Sequence, residues 1–130
     1  MPEDQAAAVR GTIEQWRQAQ EVRSVDGLAQ AYAQDDALVL VQQGVVTRGW
    51  TAVSALLQAQ LGTASAVHVR LQDLTVTPLG GQGAAVSAHM TREIATGATS
   101  VTEDGALTLA LALRGAAWII TSQHYSYPVR

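Results

Sequence analysis

Arg114-Gly115-Ala116-Ala117-Trp118-Ile119-Ile120-Thr121-Ser122-Gln123-His124-Tyr125-Ser126-Tyr127-Pro128 is a turn followed by one long β-prone run. A short loop between Leu113 and Trp118 pairs these two residues whether it holds two residues or four. Strict alternation then puts Leu107, Leu109, Leu111 and Leu113 on one face with Trp118, Ile120, Ser122 and His124. That face is large and apolar, so it is expected to be concave and covered by helices. The opposite face would carry Thr108, Ala110, Ala112 and Arg114 with Ile119, Thr121, Gln123, Tyr125 and Tyr127, small or amphipathic side chains with almost no charge. Such a face suits packing against a second copy. A homodimer through Ala110, Ala112, Ile119, Thr121 and Tyr125 is therefore expected.

Working back from this hairpin, the second half of the chain reads as a meander. Strands are expected over Val67 to Thr77, Ala84 to Ile94 and Ala106 to Leu113. Pro78 to Gly83 is a turn segment and Thr96 to Gly105 a polar connection. The first half has a different period. Val9, Ile13, Trp16 and Gln20 form one stripe, extended by Ala6, and predict a helix from Pro2 to about Arg23. Pro2 and the acids after it suit a helix start. Asp26 is the candidate N-cap of a short helix over Leu28 to Ala33, ended by Asp35-Asp36. Ala37 to Val41 reads as a strand that turns at Gln42-Gln43-Gly44 into Val45-Val46-Thr47. A third helix follows Gly49, with Val53, Leu56, Leu57 and Leu61 on one face and Gly62 as C-cap. Helices first, then antiparallel strands, with no repeat and no linker, indicate one α+β domain over residues 1–130.

Composition narrows the function classes. Hydrophobic residues make up 48% of the chain and the net charge is −3, the balance of a folded domain rather than a disordered one. The eight basic residues are all arginines and are scattered singly, so no nucleic-acid partner is expected. No apolar run approaches the ~20 residues of a membrane span, and no membrane partner is expected. The acidic start, Met1-Pro2-Glu3-Asp4, lacks the apolar core of an export signal, which makes the cytoplasm the expected setting. Absence of cysteine excludes disulfides and thiolate chemistry. Lys, Asn and Phe, all encoded by AT-rich codons, are missing as well, which points to a GC-rich bacterial genome.

Three short motifs add a family resemblance. Trp118-x-Ile120-x-x-x-His124-x-Ser126 resembles the closing strand of SnoaL-like proteins, which belong to the nuclear transport factor 2-like superfamily. Tyr32-Ala33-Gln34-Asp35-Asp36-Ala37 is similar to the stretch that ends their second helix, and Arg48-Gly49 to the element before their third. The resemblance covers nearly the whole chain. It implies a cone in which three N-terminal helices pack on a strongly curved, mainly antiparallel sheet around one pocket. The superfamily includes isomerases, polyketide cyclases, dehydratases and domains without catalysis, so the fold does not fix the activity. Set against ketosteroid isomerases, this chain has Leu40 or Val41 where a carboxylate base would stand, and Trp16 in place of a tyrosine. No acid lies among Thr108 to Ala112, where a protonated aspartate would be. The isomerase set of base and matched donors is not present.

Each remaining candidate has a plainer reading beside the functional one. His124, on the apolar face by alternation, could bind ligand or move a proton near neutral pH, or simply hold the strand end by a hydrogen bond. Trp16, Tyr32 and Trp118 could line a pocket or be core. His89 and Glu93 share one side of a strand and could form an acid–base dyad, or a solvated polar face. Asp35 and Asp36 sit at a helix-to-strand junction, where acids serve turns. Arg92 is expected at the rim of the core face, where it could meet an anionic group. The resulting expectation is a dimeric SnoaL-like protein binding a small hydrophobic ligand with one polar group, without cofactor or metal. Its pocket would be floored by Leu107, Leu109, Leu111, Trp118, Ile120 and His124 and closed by Trp16 and Tyr32. The alternative is an enzyme of the cyclase, isomerase or dehydratase kind, with His124, or His89 with Glu93, as base.

Overall fold

Helix α1 (Pro2–Glu21) buries the stripe read from the sequence, Val9, Ile13, Trp16 and Gln20, with Ala19 beside them. The computed structural model describes residues 2–128. Helix α2 (Val25–Ala29) starts earlier than expected because Ser24, not Asp26, is the N-cap, its hydroxyl accepting from the Gly27 N–H at 2.9 Å. Tyr32 therefore lies beyond the helix. The extended backbone of Ala31 to Ala33 bonds to both sides of Ile120, with N···O distances of 2.8 and 2.9 Å. Strands β1 (Val39–Gln42) and β2 (Val45–Arg48) form a hairpin whose turn residues, Gln43 and Gly44, both have positive φ, as a two-residue turn of this hand requires. Helix α3 (Trp50–Leu61) buries Val53, Leu57 and Leu61 and ends at Gly62, as the sequence predicts.

Four long strands complete the sheet: β3 (Ala66–Pro78), β4 (Gly83–Thr96), β5 (Thr99–Arg114) and β6 (Ala117–Ser126). The order is β2-β1-β6-β5-β4-β3, antiparallel except for the β1–β6 pair. The residues expected to form a polar connection, Thr96 to Gly105, are instead mostly strand. The turn is only Gly97 and Ala98, with Gly97 at φ +61°, and β4 and β5 stay paired to its edge.

Two departures from simple alternation shape the concave face. Leu113 faces Trp118 and Leu111 faces Ile120 as expected, but the register then slips, and Ala110 is opposite Ser122. Thr121 is the extra residue of this β-bulge, its hydroxyl donating to the Ala110 carbonyl at 3.2 Å. One added residue reverses every side chain after it. Gln123 and Tyr125 therefore point inward and are buried, and His124 points outward and is exposed. The expectations that His124 lines the interior and that Tyr125 belongs to the outer face are both corrected by this slip.

The second departure is at Gly105. A Cβ built there would lie 1.9 Å from the Ser126 carbonyl oxygen and 2.7 Å from the Tyr127 Cα. The end of β6 thus crosses directly over this residue, and only glycine leaves it room.

Helix α1 covers the outer edge of β3. Glu21 accepts from the Val69 N–H at 3.0 Å, and Arg17 donates to the Val69 carbonyl at 3.2 Å. The Val69 N–H, with Arg17 beside it, holds the Glu21 carboxyl below its ordinary range. Arg10 reaches the Leu74 carbonyl, and Gln5 donates to the carbonyls of Gly80 and Gly83 in the β3–β4 turn.

Replacing Gly105 by alanine should cost about 3 kcal/mol or more, because the contact is with backbone that cannot rotate away. Urea unfolding measures the loss. A variant as stable as the parent would show that the crossing is not fixed.

Candidate functional site

The inward faces of β4, β5 and β6 and the buried stripe of α1 enclose an interior that is apolar at one end and polar at the other. Leu107, Leu109, Leu111, Trp118 and Ile120 do share this face, as the alternation predicts, and are buried. They are packed core rather than the floor of an open pocket. Trp16 and Leu107 are 1% exposed and Ile120 0%, so no water-sized space touches them.

Two hydrogen-bonded chains run through the polar end. In the first, the Trp16 indole N–H donates to the Tyr32 hydroxyl at 2.7 Å, and that hydroxyl donates to Gln123 Oε1 at 2.5 Å. Burial pushes the Tyr32 hydroxyl well above its ordinary pKa. The expected lid pair, Trp16 and Tyr32, is thus brought together and tied to a glutamine that the bulge turned inward. Tyr32 also lies against Trp50, with ring centroids 6.1 Å apart.

The second chain is built on charge. Arg92 is not at the rim but inside. Its side chain is 4% exposed and that of Glu103 8%, and Arg92 Nε donates to Glu103 Oε1 at 2.8 Å. Arg92 Nη1 donates to Gln20 Oε1 at 3.1 Å, and the guanidinium lies 5.7 Å from the centre of the Tyr125 ring. The Tyr125 hydroxyl donates to the Met90 carbonyl at 3.2 Å. Burial, and then the Glu103 charge, raise its pKa well above the ordinary value. The Tyr127 ring is 5.0 Å from that of Tyr125, and its hydroxyl accepts from Gln42 at 3.0 Å. Burial, with the Glu103 charge, raises the pKa of this hydroxyl too. Two donors in this chain, Arg92 Nη2 and Gln20 Nε2, are buried with no hydrogen-bond partner.

Beside Tyr127 the concave side opens. A cavity of about 190 Å³ is lined by Leu40, Gln42, Gln43, Val45, Thr47, Leu56, Gln60 and Tyr127, between the β1–β2 hairpin and α3. It is continuous with the second chain through Tyr127.

The histidines are elsewhere. His124 sits on the outer face between Thr108 and Val41, and His68 is also exposed. His89 is on the outer face with Glu93, but its ring contacts Asp104, which also accepts from the Thr91 hydroxyl at 2.9 Å. The expected His89–Glu93 dyad is replaced by a cross-strand contact. Asp35 serves the turn, accepting from the Ala37 N–H and from Arg114, which together hold its carboxyl below the ordinary range. Among the described residues, no three His, Asp or Glu side chains gather as a metal would require.

Glu103 and Gln42 were not singled out from the sequence, and Gln123 and Tyr127 were expected on the outer face, whereas Gln123 is buried and Tyr127 lines the cavity. Continuing the alternation upstream from Leu107 through Gly105 would have put Glu103 on the inner face. Nothing in the local sequence marks the bulge that turned Gln123.

The family model for the SnoaL-like domain matches residues 9–130. The chain belongs to this family. No curated protein matches this SnoaL-like chain in sequence. Among solved structures it is similar to a nuclear transport factor 2-like superfamily protein from Salmonella enterica, with TM-score 0.90 and 13% identity over 100% of this chain and 95% of the other. A protein from Streptomyces avermitilis, proposed as a dehydratase of the same superfamily, has TM-score 0.87 and 16% identity over 100% of both chains. A protein of unknown function from Shewanella oneidensis has TM-score 0.74 and 21% identity, covering 97% of this chain and 99% of its own. At these identities the likeness shows the fold alone.

Removing one member of the buried ion pair strands the other. Arg92→Met or Glu103→Leu should each lose about 3–5 kcal/mol, while the double variant recovers most of it. Chemical denaturation of the three variants reads the cycle, and additive losses would contradict the pairing.

Proposed function

We propose that this SnoaL-like protein binds a small, mostly apolar molecule of about single-ring size at the open end of its cone. The observation that carries this is the cavity of about 190 Å³ beside Tyr127. Leu40, Val45 and Leu56 give it apolar walls, and Gln42, Thr47, Gln60 and Tyr127 offer a few polar contacts, the usual make-up of a small-molecule site. An apolar cavity of ~150 Å³ already takes up benzene. A steroid-sized ligand would not fit without rearrangement. The expected ligand contacts Trp16, Leu107, Leu109, Trp118 and Ile120 do not line this cavity and belong to the buried core.

The reading does not include base chemistry by histidine, because His124 and His89 project from the opposite side of the sheet. Inside the cone, among the described residues, Glu103 is the one buried carboxylate, and it is held by Arg92. The absent ketosteroid isomerase set agrees with binding rather than isomerisation. Single-ring fragments should raise the melting temperature and shift the NMR signals of Leu40, Thr47 and Leu56. Leu56→Trp, which fills the cavity, should abolish both effects while the fold is retained. Fragment binding indifferent to this substitution would end the proposal.

We further infer pairing of two copies through the outer face. With Tyr125 removed from it, that face keeps Ala110, Ala112, Ile119 and Thr121, all half-buried, flanked by Val39, Val41 and Ser122. None carries a charge, which favours burial against a like surface. Sedimentation should give a dimer for the parent and a monomer for Ala110→Arg. A monomeric parent would refute the pairing.

A further inference from the structure

Helical spacing puts Arg10, Ile13, Glu14 and Arg17 on one face of α1, and that face lies along the edge of β3. Between the two elements is a groove of about 450 Å³ that shares no residue with the mouth cavity. Its volume is within the ~300–1,000 Å³ of small-molecule sites. The floor is apolar, with Ile13 and Val69 buried and Leu71 and Leu74 half-buried. The rim holds three of the eight arginines, Arg10, Arg17 and Arg70, which the sequence scatters and the packing of α1 on β3 gathers.

The rim charges are unequally satisfied. Arg17 Nε and Nη2 donate to the Glu14 carboxylate at 2.7 to 3.1 Å, and Nη1 lies 3.0 Å from Glu21. Arg10 has only the Leu74 carbonyl, at 3.3 Å, and among the described residues neither Arg10 nor Arg70 forms an ion pair. Three arginines against two glutamates leave one positive charge beside the apolar floor. A backbone donor adds to it. Val69 turns its N–H and carbonyl toward α1, and the antiparallel ladder turns those of Leu71 the same way, away from β4. Among the described residues nothing bonds to the Leu71 N–H on that side. Two unpaired guanidiniums, a free N–H and a hydrophobic floor together suit a single anion carrying an apolar tail. A dianion would exceed the charge on offer, and a plain hydrocarbon would use none of it.

We propose that the groove between α1 and β3 binds a monocarboxylate with a short aliphatic chain. Arg10 and Arg70 hold the head, the Leu71 N–H donates to one of its oxygens, and the chain lies on Ile13, Leu71 and Leu74. Guanidinium suits this head because it can meet a carboxylate with two parallel hydrogen bonds.

Octanoate, octanol and acetate, titrated calorimetrically into the intact chain and followed by NMR, test the site. Octanoate should bind about tenfold more tightly than octanol, the gain a charge-assisted hydrogen bond supplies, and at least about tenfold more tightly than acetate, which lacks the tail. It should shift the Leu71 amide and the Arg10 and Arg70 Nε–H signals, a readout that needs no substitution, and leave Leu40, Thr47 and Leu56 unmoved. Added salt should weaken octanoate and not octanol. Arg10→Gln and Arg70→Gln should each weaken octanoate about threefold, and the two together should bring it to the level of octanol. Octanoate binding no tighter than octanol, or unchanged in the double variant, would overturn the anion site. Acetate binding as tightly as octanoate would overturn the role of the apolar floor. Shifts confined to Leu40, Thr47 and Leu56 would overturn this groove while supporting the mouth cavity.

Discussion

At Thr121 strand β6 carries one residue more than its neighbour β5, and the identity of the interior follows from that single insertion. Before it, Trp118 and Ile120 continue the apolar wall formed by Leu107, Leu109 and Leu111. After it, Gln123 and Tyr125 take the inward places that alternation would have given to Ser122 and His124. The bulge also divides the flank of β6 between two partners. Up to Ile120 that flank bonds to the Ala31–Ala33 segment, and from Ser122 onward it is paired with β1. Curvature of the sheet and polarity of the cone interior thus have a common origin.

The inner polar groups are stable there because nearly all are satisfied by one another. Trp16, Tyr32 and Gln123 use their donors and acceptors in sequence, and Arg92 sets its charge against Glu103 while resting on the Tyr125 ring. Replacing such a network with hydrocarbon is often neutral or stabilising. Its presence therefore does not follow from stability alone.

Much of the architecture was legible in the sequence. Helix α1 and helix α3 have clean apolar stripes, Gly62 ends α3, and the pairing of Leu113 with Trp118 follows from loop length alone. The motifs around Tyr32, Arg48 and Trp118 indicated the family. What was not legible has identifiable causes. A bulge is set by hydrogen bonding across two strands, and no local pattern around Thr121 announces it. The polar composition of Thr96 to Gly105 resembles a loop, yet threonine favours strands and one glycine suffices for the turn. Arg92 was expected at the rim because it ends the inward series Ala84, Val86, Ala88 and Met90; with Thr96 to Gly105 read as a loop, nothing showed that Glu103 stands opposite it on β5.

The side chains of α1 that bond to β3 have a consequence for how copies of this protein meet in crowded solution. An open strand edge is a template for addition of further strands and the start of fibril growth. Here Glu21 and Arg17 occupy both backbone groups of Val69, and Arg10 occupies the Leu74 carbonyl. The opposite edge is β2, only four residues long and ending in Arg48. Neither border of the sheet offers a long run of free peptide groups, so the curved sheet resists extension into aggregates from either side.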